Sequence, residues 1–145
     1  MADLLLILRI AGDRVAFLAE EVESVIELDE VVPVPGAARH IAGLASLRSR
    51  VLTVVDCRAA LDAPPAESAE AVVVPSGGHF YALLVDDVED VVDASGPVEK
   101  ADLPFGSVWS RVARGTVEAE GELFLLVDPH ELVAGAALRT TAAAS

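Results

Sequence analysis

The chain has 145 residues, 53% of them hydrophobic, with a mean hydropathy of +0.50 and a net charge of −14. Acidity of that size excludes polyanionic partners, nucleic acid and anionic membrane surfaces among them, because like charge repels. The longest candidate span, Leu4–Leu8, is bounded by Asp3 and Arg9. It falls far short of the roughly 20 apolar residues of a membrane-crossing helix, and the start lacks the basic region and cleavage site of a signal peptide. A cytoplasmic protein without direct membrane insertion is expected.

In chain order, the apolar residues come as short runs rather than as stripes with helical spacing. Candidate strands are 4–10, 14–19, 25–28, 51–57, 71–74, 80–85, 112–117 and 123–127. Short Val/Ile/Leu runs broken by Gly, Pro, Asp and Ser point to an all-β barrel or sandwich. Ser76-Gly77-Gly78 and Glu120-Gly121 read as tight hairpin turns, where glycine reaches positive φ at little steric cost. A helical turn is expected over 37–42, after Pro35-Gly36. A short helix is expected over 129–134, with Asp128 as its cap and Pro129 at its first position. Residues 62–68 form the clearest loop, and 136–145, rich in Ala and Thr without periodicity, read as a flexible tail.

Charge is uneven along the chain. Residues 1–61 carry nine Asp/Glu against six Arg, a net −3, whereas residues 62–145 carry fifteen against four, a net −11. Against this background, segment 39–58 holds Arg39, Arg48, Arg50 and Arg58 with only Asp56 opposing. That makes a local cationic face for an acidic partner one reading, and four solvated arginines the other.

An internal repeat organises the whole. Gly12–Val25 lies over Gly78–Val91 without a gap, an offset of 66 residues; Gly43…Asp56 lies over Gly115…Asp128, an offset of 72. Each half reads as strand, acidic turn, Val-x-x-Val strand, loop, Gly-led strand, hairpin, and apolar strand ending in Asp. A unit of about 60 residues is marginal alone on surface-to-volume grounds. Two such units packed together would share a third apolar zone.

Gly43-Leu-Ala-Ser-Leu-Arg-Ser-Arg50, followed by Val51-Leu-Thr-Val-Val-Asp-Cys-Arg58, resembles the signature of the CheW family of chemotaxis coupling proteins. That signature is Gly-x-x-Asn-Leu-Arg-Gly before an apolar strand ending in Asp-Leu-Arg. Val22-Glu23-Ser24-Val25 is similar to the family's Val-x-Glu-Ile element, and Val85-Asp86-Asp87-Val88-Glu89-Asp90-Val91 to its second-half motif. Departures are Ser24 for glutamate, Ser46 for asparagine, Ser49 for glycine and Cys57 for leucine. The resemblance implies two pseudo-repeated five-stranded SH3-like barrels with a few short helices, in one domain over 1–135. The first barrel would span about 11–69, and the second about 70–135 plus strand 4–10. It also implies a non-enzymatic adaptor joining the cytoplasmic tip of a chemoreceptor to the regulatory domain of a CheA-type histidine kinase, recruited to membrane receptor arrays. Val22, Val25, Leu47 and Arg48 would meet the receptor. Gly43, Asp56, Arg58, Asp86, Gly115 and Asp128 form the structural signature. Other readings are a diverged module of another two-component pathway, an SH3-like peptide or ligand sensor, and a detached regulatory module of a kinase.

No catalytic or cofactor motif competes with this. His40, His79 and His130 lie in separate segments without metal-ligand spacing. No HExxH, CxxC, P-loop or GxSxG motif is present. Asp86 and Asp87 are adjacent, and neighbours in a strand point to opposite faces. No enzyme activity, cofactor or metal is expected. Cys57 reads as a small core hydrophobe, and Trp109 as a loop anchor packed on the second barrel.

Overall fold

The computed structural model describes residues 3–100 and 108–134. Ten strands run in order: β1 (Leu4–Ile10), β2 (Asp13–Leu18), β3 (Ser24–Glu27), β4 (Ile41–Leu47), β5 (Arg50–Asp56), β6 (Glu70–Ser76), β7 (His79–Leu84), β8 (Asp87–Asp93), β9 (Ala113–Ala119) and β10 (Glu122–Val127). Helix α1 (Cys57–Ala60) follows β5, and α2, residues 129–134, follows β10. Two 3-10 turns, Ala19–Glu21 and Val108–Arg111, lie in the connections.

The strands form two five-stranded sheets, ordered β3-β6-β7-β5-β4 and β8-β1-β2-β10-β9. Shifting the first order by the repeat yields the second, strand for strand. The pairings obey the same offsets. The parallel register Thr53↔Tyr81 of β5 and β7 is repeated as Leu125↔Val15 of β10 and β2.

The two sheets do not divide the chain at residue 69. Each half gives its opening hairpin to the other half's sheet: β1–β2 joins β8–β10, and β6–β7 joins β3–β5. The expected placement of β2 in the first barrel and of β6–β7 in the second is therefore corrected. Burial explains the exchange. Leu5, Leu6, Ile7 and Leu8 are each no more than 4% exposed, so β1 is apolar on both faces and occupies a sheet interior between β8 and β2. One face, with Leu5 and Ile7, fills the second barrel beside Val117, Phe124 and Leu126. The other, with Leu6, Leu8 and Ile10, enters a layer between the barrels with Phe17, Val72, Val74 and Leu83. The interior of the first barrel holds Leu52, Val54, Ala71, Val73 and Ala82. At roughly 1.5–3 kcal/mol per fully buried aliphatic side chain, an upper bound, the exchanged hairpins anchor both barrels to the shared layer.

Two-residue turns close the hairpins in matched pairs. Ala11-Gly12 corresponds to Gly77-Gly78, and Arg48-Ser49 to Glu120-Gly121, all eight residues at positive φ. Gly43 and Gly115 are matched by close approach. A Cβ on either would run into a carbonyl, that of Val32 or of Glu99, which bridge to the residue after each glycine.

Several local expectations are revised. Residues 37–42 form no helix. The chain turns at 35–36 and 39–40, the His40 carbonyl accepts from the Asp56 N–H, and β4 begins at Ile41. Cys57 starts a helix instead of ending a strand, because the Asp56 carboxylate accepts from the Arg58 and Ala59 N–H groups and turns the backbone. β4 and β8 are absent from the eight apolar runs, although the repeat implies both. β8 alternates too many carboxylates to read as a strand from propensity. The interval 136–145 lies outside the described residues.

Candidate functional site

Three of the four expected partner residues line one groove of about 350 Å³ at the edge of the first barrel. Val25 and Ile26 come from edge strand β3, and Leu47, Arg48 and Arg50 from the β4–β5 hairpin on the opposite edge. Val25 pairs with Val72 in β6, a residue of the inter-barrel layer, and so stands on the barrel's outer face, 41% exposed. Arg50 closes the barrel edge. Its guanidinium donates twice to Glu23, at 2.6 and 3.1 Å, and lies 4.1 Å above the Phe80 ring. Arg48 sits at the hairpin tip with φ +50 and is exposed. No carboxylate pairs with it among the described residues. Ser24, where the family's glutamate would stand, offers none. Val22, the fourth expected residue, is half-buried against the inter-barrel layer and does not line the groove.

A second exposed apolar surface lies on the outer face of β4 and β5. Val51, 63% exposed, pairs with Ser46; Leu44 pairs with Thr53 and bridges to the exposed Val32. Alternation turns Leu44 and Val51 outward while Ala45, Leu52 and Val54 turn in.

The signature residues hold the scaffold. Asp128 accepts from the His130 N–H at 2.9 Å, as Asp56 does from Arg58 at 3.0 Å. Arg58 donates through Nε and Nη2 to Asp86 at 3.0 and 2.9 Å, and Asp86 also accepts from the Gly12 N–H at 2.8 Å. Burial pushes the Asp86 carboxyl up, but the Arg58 hydrogen bonds and the Gly12 N–H outweigh it and hold it below the usual carboxylate range. Trp109 packs against the inter-barrel layer, and its Nε1 donates to Asp13 at 3.0 Å.

Glu21, Asp128 and His130 bring ligand atoms within 4.8 Å of one another, the one candidate metal set among the described residues. The chemistry of the set is that of an ion-pair cluster. Arg114 Nη2 stands between the carboxylates, 2.6 Å from Glu21 and 3.1 Å from Asp128, where a cation would have to sit. Arg114 occupies a bulge in β9 opposite Val127, the repeat equivalent of Ala42, and bulges re-aim side chains in this way. His40 is buried; its Nε2 lies 2.6 Å from the Val133 carbonyl, and its Nδ1 has no partner. Cys57 is fully buried, which pushes its thiol far up and leaves it inert. The sequence carried no expectation for Arg114 or Glu21, and Arg50 stood only as one of the four arginines of segment 39–58. The repeat could have flagged Arg114, an arginine where the other half has alanine.

The residues 4–137 match the family model of the CheW-like domain, and the chain belongs to that family. Among solved structures, the scaffolding protein TtCheW from Thermoanaerobacter tengcongensis has the same fold. It is 16% identical, with a TM-score of 0.80 over 91% of this chain and 92% of that one. No curated protein matches the sequence. The two sheets are thus the paired SH3-like barrels of this family. Among the described residues, no helix is long and apolar enough to cross a membrane.

Proposed function

We propose that the chain is a non-enzymatic adaptor that couples a chemoreceptor to a CheA-type histidine kinase, the groove beside Arg48 receiving the receptor's helical tip. The observation that carries this reading is the composition of the groove. Exposed Val25 and half-buried Leu47 provide an apolar seat, and Arg48, with no carboxylate partner among the described residues, borders it. An apolar stripe flanked by a carboxylate on a helix would satisfy both parts, and the planar guanidinium suits an oriented contact.

The kinase regulatory domain is assigned to the separate face of Val32, Leu44 and Val51. Three neighbouring exposed aliphatic side chains mark a contact surface better than scattered single ones. Membership of a scaffold family supports the reading, as does the engagement of every clustered carboxylate and histidine described above in internal bonds. Titration of the purified chain with a receptor-tip fragment and with a kinase regulatory domain tests it. Saturable binding to both, simultaneous in a three-component mixture, is expected. Mutually exclusive binding, or binding to neither, overturns it.

A further inference from the structure

Neither half of the repeat makes a sheet by itself. The first half supplies β1–β5 and α1, the second β6–β10 and α2, and each sheet takes strands from both. Among the described residues, four strand pairings stay within a half: β1–β2, β4–β5, β6–β7 and β9–β10. Four cross between halves: β1–β8, β2–β10, β3–β6 and β5–β7. Strands β3 and β8 have sheet neighbours only in the other half. A half alone is two hairpins and an unpaired strand, and an isolated hairpin is marginal in water. The ion pairs Arg58–Asp86 and Arg114–Glu21 also join the two halves. What completes one half is carried by the other, and a second copy carries it in identical form.

One loop, residues 62–69, connects the halves. Helix α1 closes into it with the Ala63 N–H donating to the Arg58 carbonyl at 2.8 Å, around Asp62 at φ +57. Glycine is the usual residue at that left-handed closing position, and a side chain there is strained. Beyond it, Ala63 and Pro64 each precede a proline, which holds them extended, and both prolines have fixed φ. Pro64, Pro65, Ala66 and Glu67 are exposed. The loop is thus a stiff extended run that leaves α1 through one strained residue. Opened at Asp62, residues 62–69 reach up to about 26 Å.

We infer that two copies of this chain exchange halves about this loop, the first half of each completing the second half of the other. Every strand pairing and both ion pairs are kept; the loop alone changes, releasing Asp62 from its left-handed conformation. Exchange of this kind is a low-cost route to a dimer. The product is two complete two-barrel units on two tethers. Each unit carries an Arg48 groove, with Val25, Leu47 and Arg48 from one copy and the Phe80 ring beneath Arg50 from the other. The net charge of −14 opposes a second copy. That repulsion is screened beyond about 8 Å at physiological ionic strength, and no outer surface of one unit has to touch the other. Closed copies cannot exchange without parting the four cross pairings. The dimer therefore forms from open chains as they fold at high concentration, and then persists. Exchange is independent of what the groove receives.

The wild-type chain, unfolded in denaturant and refolded at a series of concentrations, tests this. Each sample is then sized at one low concentration by sedimentation velocity. The fraction at twice the monomer mass should rise with the refolding concentration and hold after dilution. A variant with a specific protease site inserted between Pro65 and Ala66, in the exposed loop, separates exchange from surface contact. Cleavage should cut its dimer to the monomer mass, each particle then holding one fragment of each copy. Asp62→Gly relieves the closed turn and should lower the dimer fraction at least twofold. A wild type that refolds only to monomer at every concentration overturns the exchange. So does a cleaved dimer that keeps its mass, or a dimer fraction that Asp62→Gly leaves unchanged.

Discussion

Arg58 and Asp86 come from different repeats and meet in a bidentate pair, 3.0 and 2.9 Å, that also takes the Gly12 N–H at 2.8 Å. Asp86 follows β7 and Arg58 lies in α1, both on the first barrel, whereas Gly12 turns the β1–β2 hairpin of the second. One carboxylate thereby pins the exchanged hairpin to the barrel it left. With both side chains mostly shielded, at 23% and 17% exposure, the pair is worth more than a surface ion pair.

Asp86→Asn should therefore lower stability at neutral pH by roughly 2 kcal/mol, the range for hydrogen bonds to a charged group. The folded-state pKa of Asp86 lies below its unfolded value. Its contribution is thus fully present above about pH 4 and is lost as pH falls through the folded pKa. Denaturant titrations of wild type and variant should diverge at pH 7 and converge toward pH 2. A gap that persists undiminished at low pH would remove the carboxylate from the explanation.

Ser49 holds φ +69 in the β4–β5 turn, a conformation in which a side chain is strained and glycine is not. Ser49→Gly should stabilise the chain by about 1 kcal/mol, a rise of roughly 2–4 °C in Tm for a domain of this size. Its repeat partner is already Gly121, at φ +76. An unchanged or lower Tm would mean that the loop relaxes without help.

Gly43→Ala and Gly115→Ala should be destabilising by similar amounts, roughly 1–3 kcal/mol each, since both force a Cβ into a carbonyl of the bridging loop. Chemical denaturation of the two variants checks this. A large difference between them would contradict the equivalence of the two halves.

Val51→Asp puts charge into the exposed row with Val32 and Leu44. It should weaken binding to the kinase regulatory domain at least tenfold while leaving the melting temperature and receptor affinity near wild type, as isothermal titration would record. Loss of receptor binding as well would merge the two faces into one.

Much of this architecture was legible in the residues, and the repeat was the reason. The repeat set Gly12 over Gly78 and Asp56 over Asp128, and the structure gives each pair one role, a hairpin turn and a helix cap, although only Asp128 was read as a cap from sequence. The family resemblance put strand 4–10 with the second barrel, where β1 lies, but the crossing of β2 and of β6–β7 was not legible. Offset alignment preserves the order of strands within a half but carries no information on which half's sheet a hairpin will enter. That choice is made by packing in the layer between the barrels. The groove was partly legible. Val25, Leu47 and Arg48 lie in motifs, while Arg50, Glu23 and Phe80 act through a contact between strands distant in sequence. Val22 carried the same motif signal as Val25 and differs only in facing the inter-barrel layer.

Arg48→Ala bears most directly on coupling, because the tip of an exposed hairpin contributes little to folding and, on this reading, much to recognition. An exposed charge is worth at most about 1 kcal/mol to stability, whereas truncation at a binding hot spot costs roughly 2 kcal/mol or more. Measured together, thermal unfolding should be nearly unchanged, affinity for a receptor-tip fragment should fall at least tenfold, and affinity for the kinase regulatory domain should change less. A variant that binds the receptor tip as tightly as wild type, or one that loses both partners along with its melting temperature, would contradict Arg48 as the receptor contact.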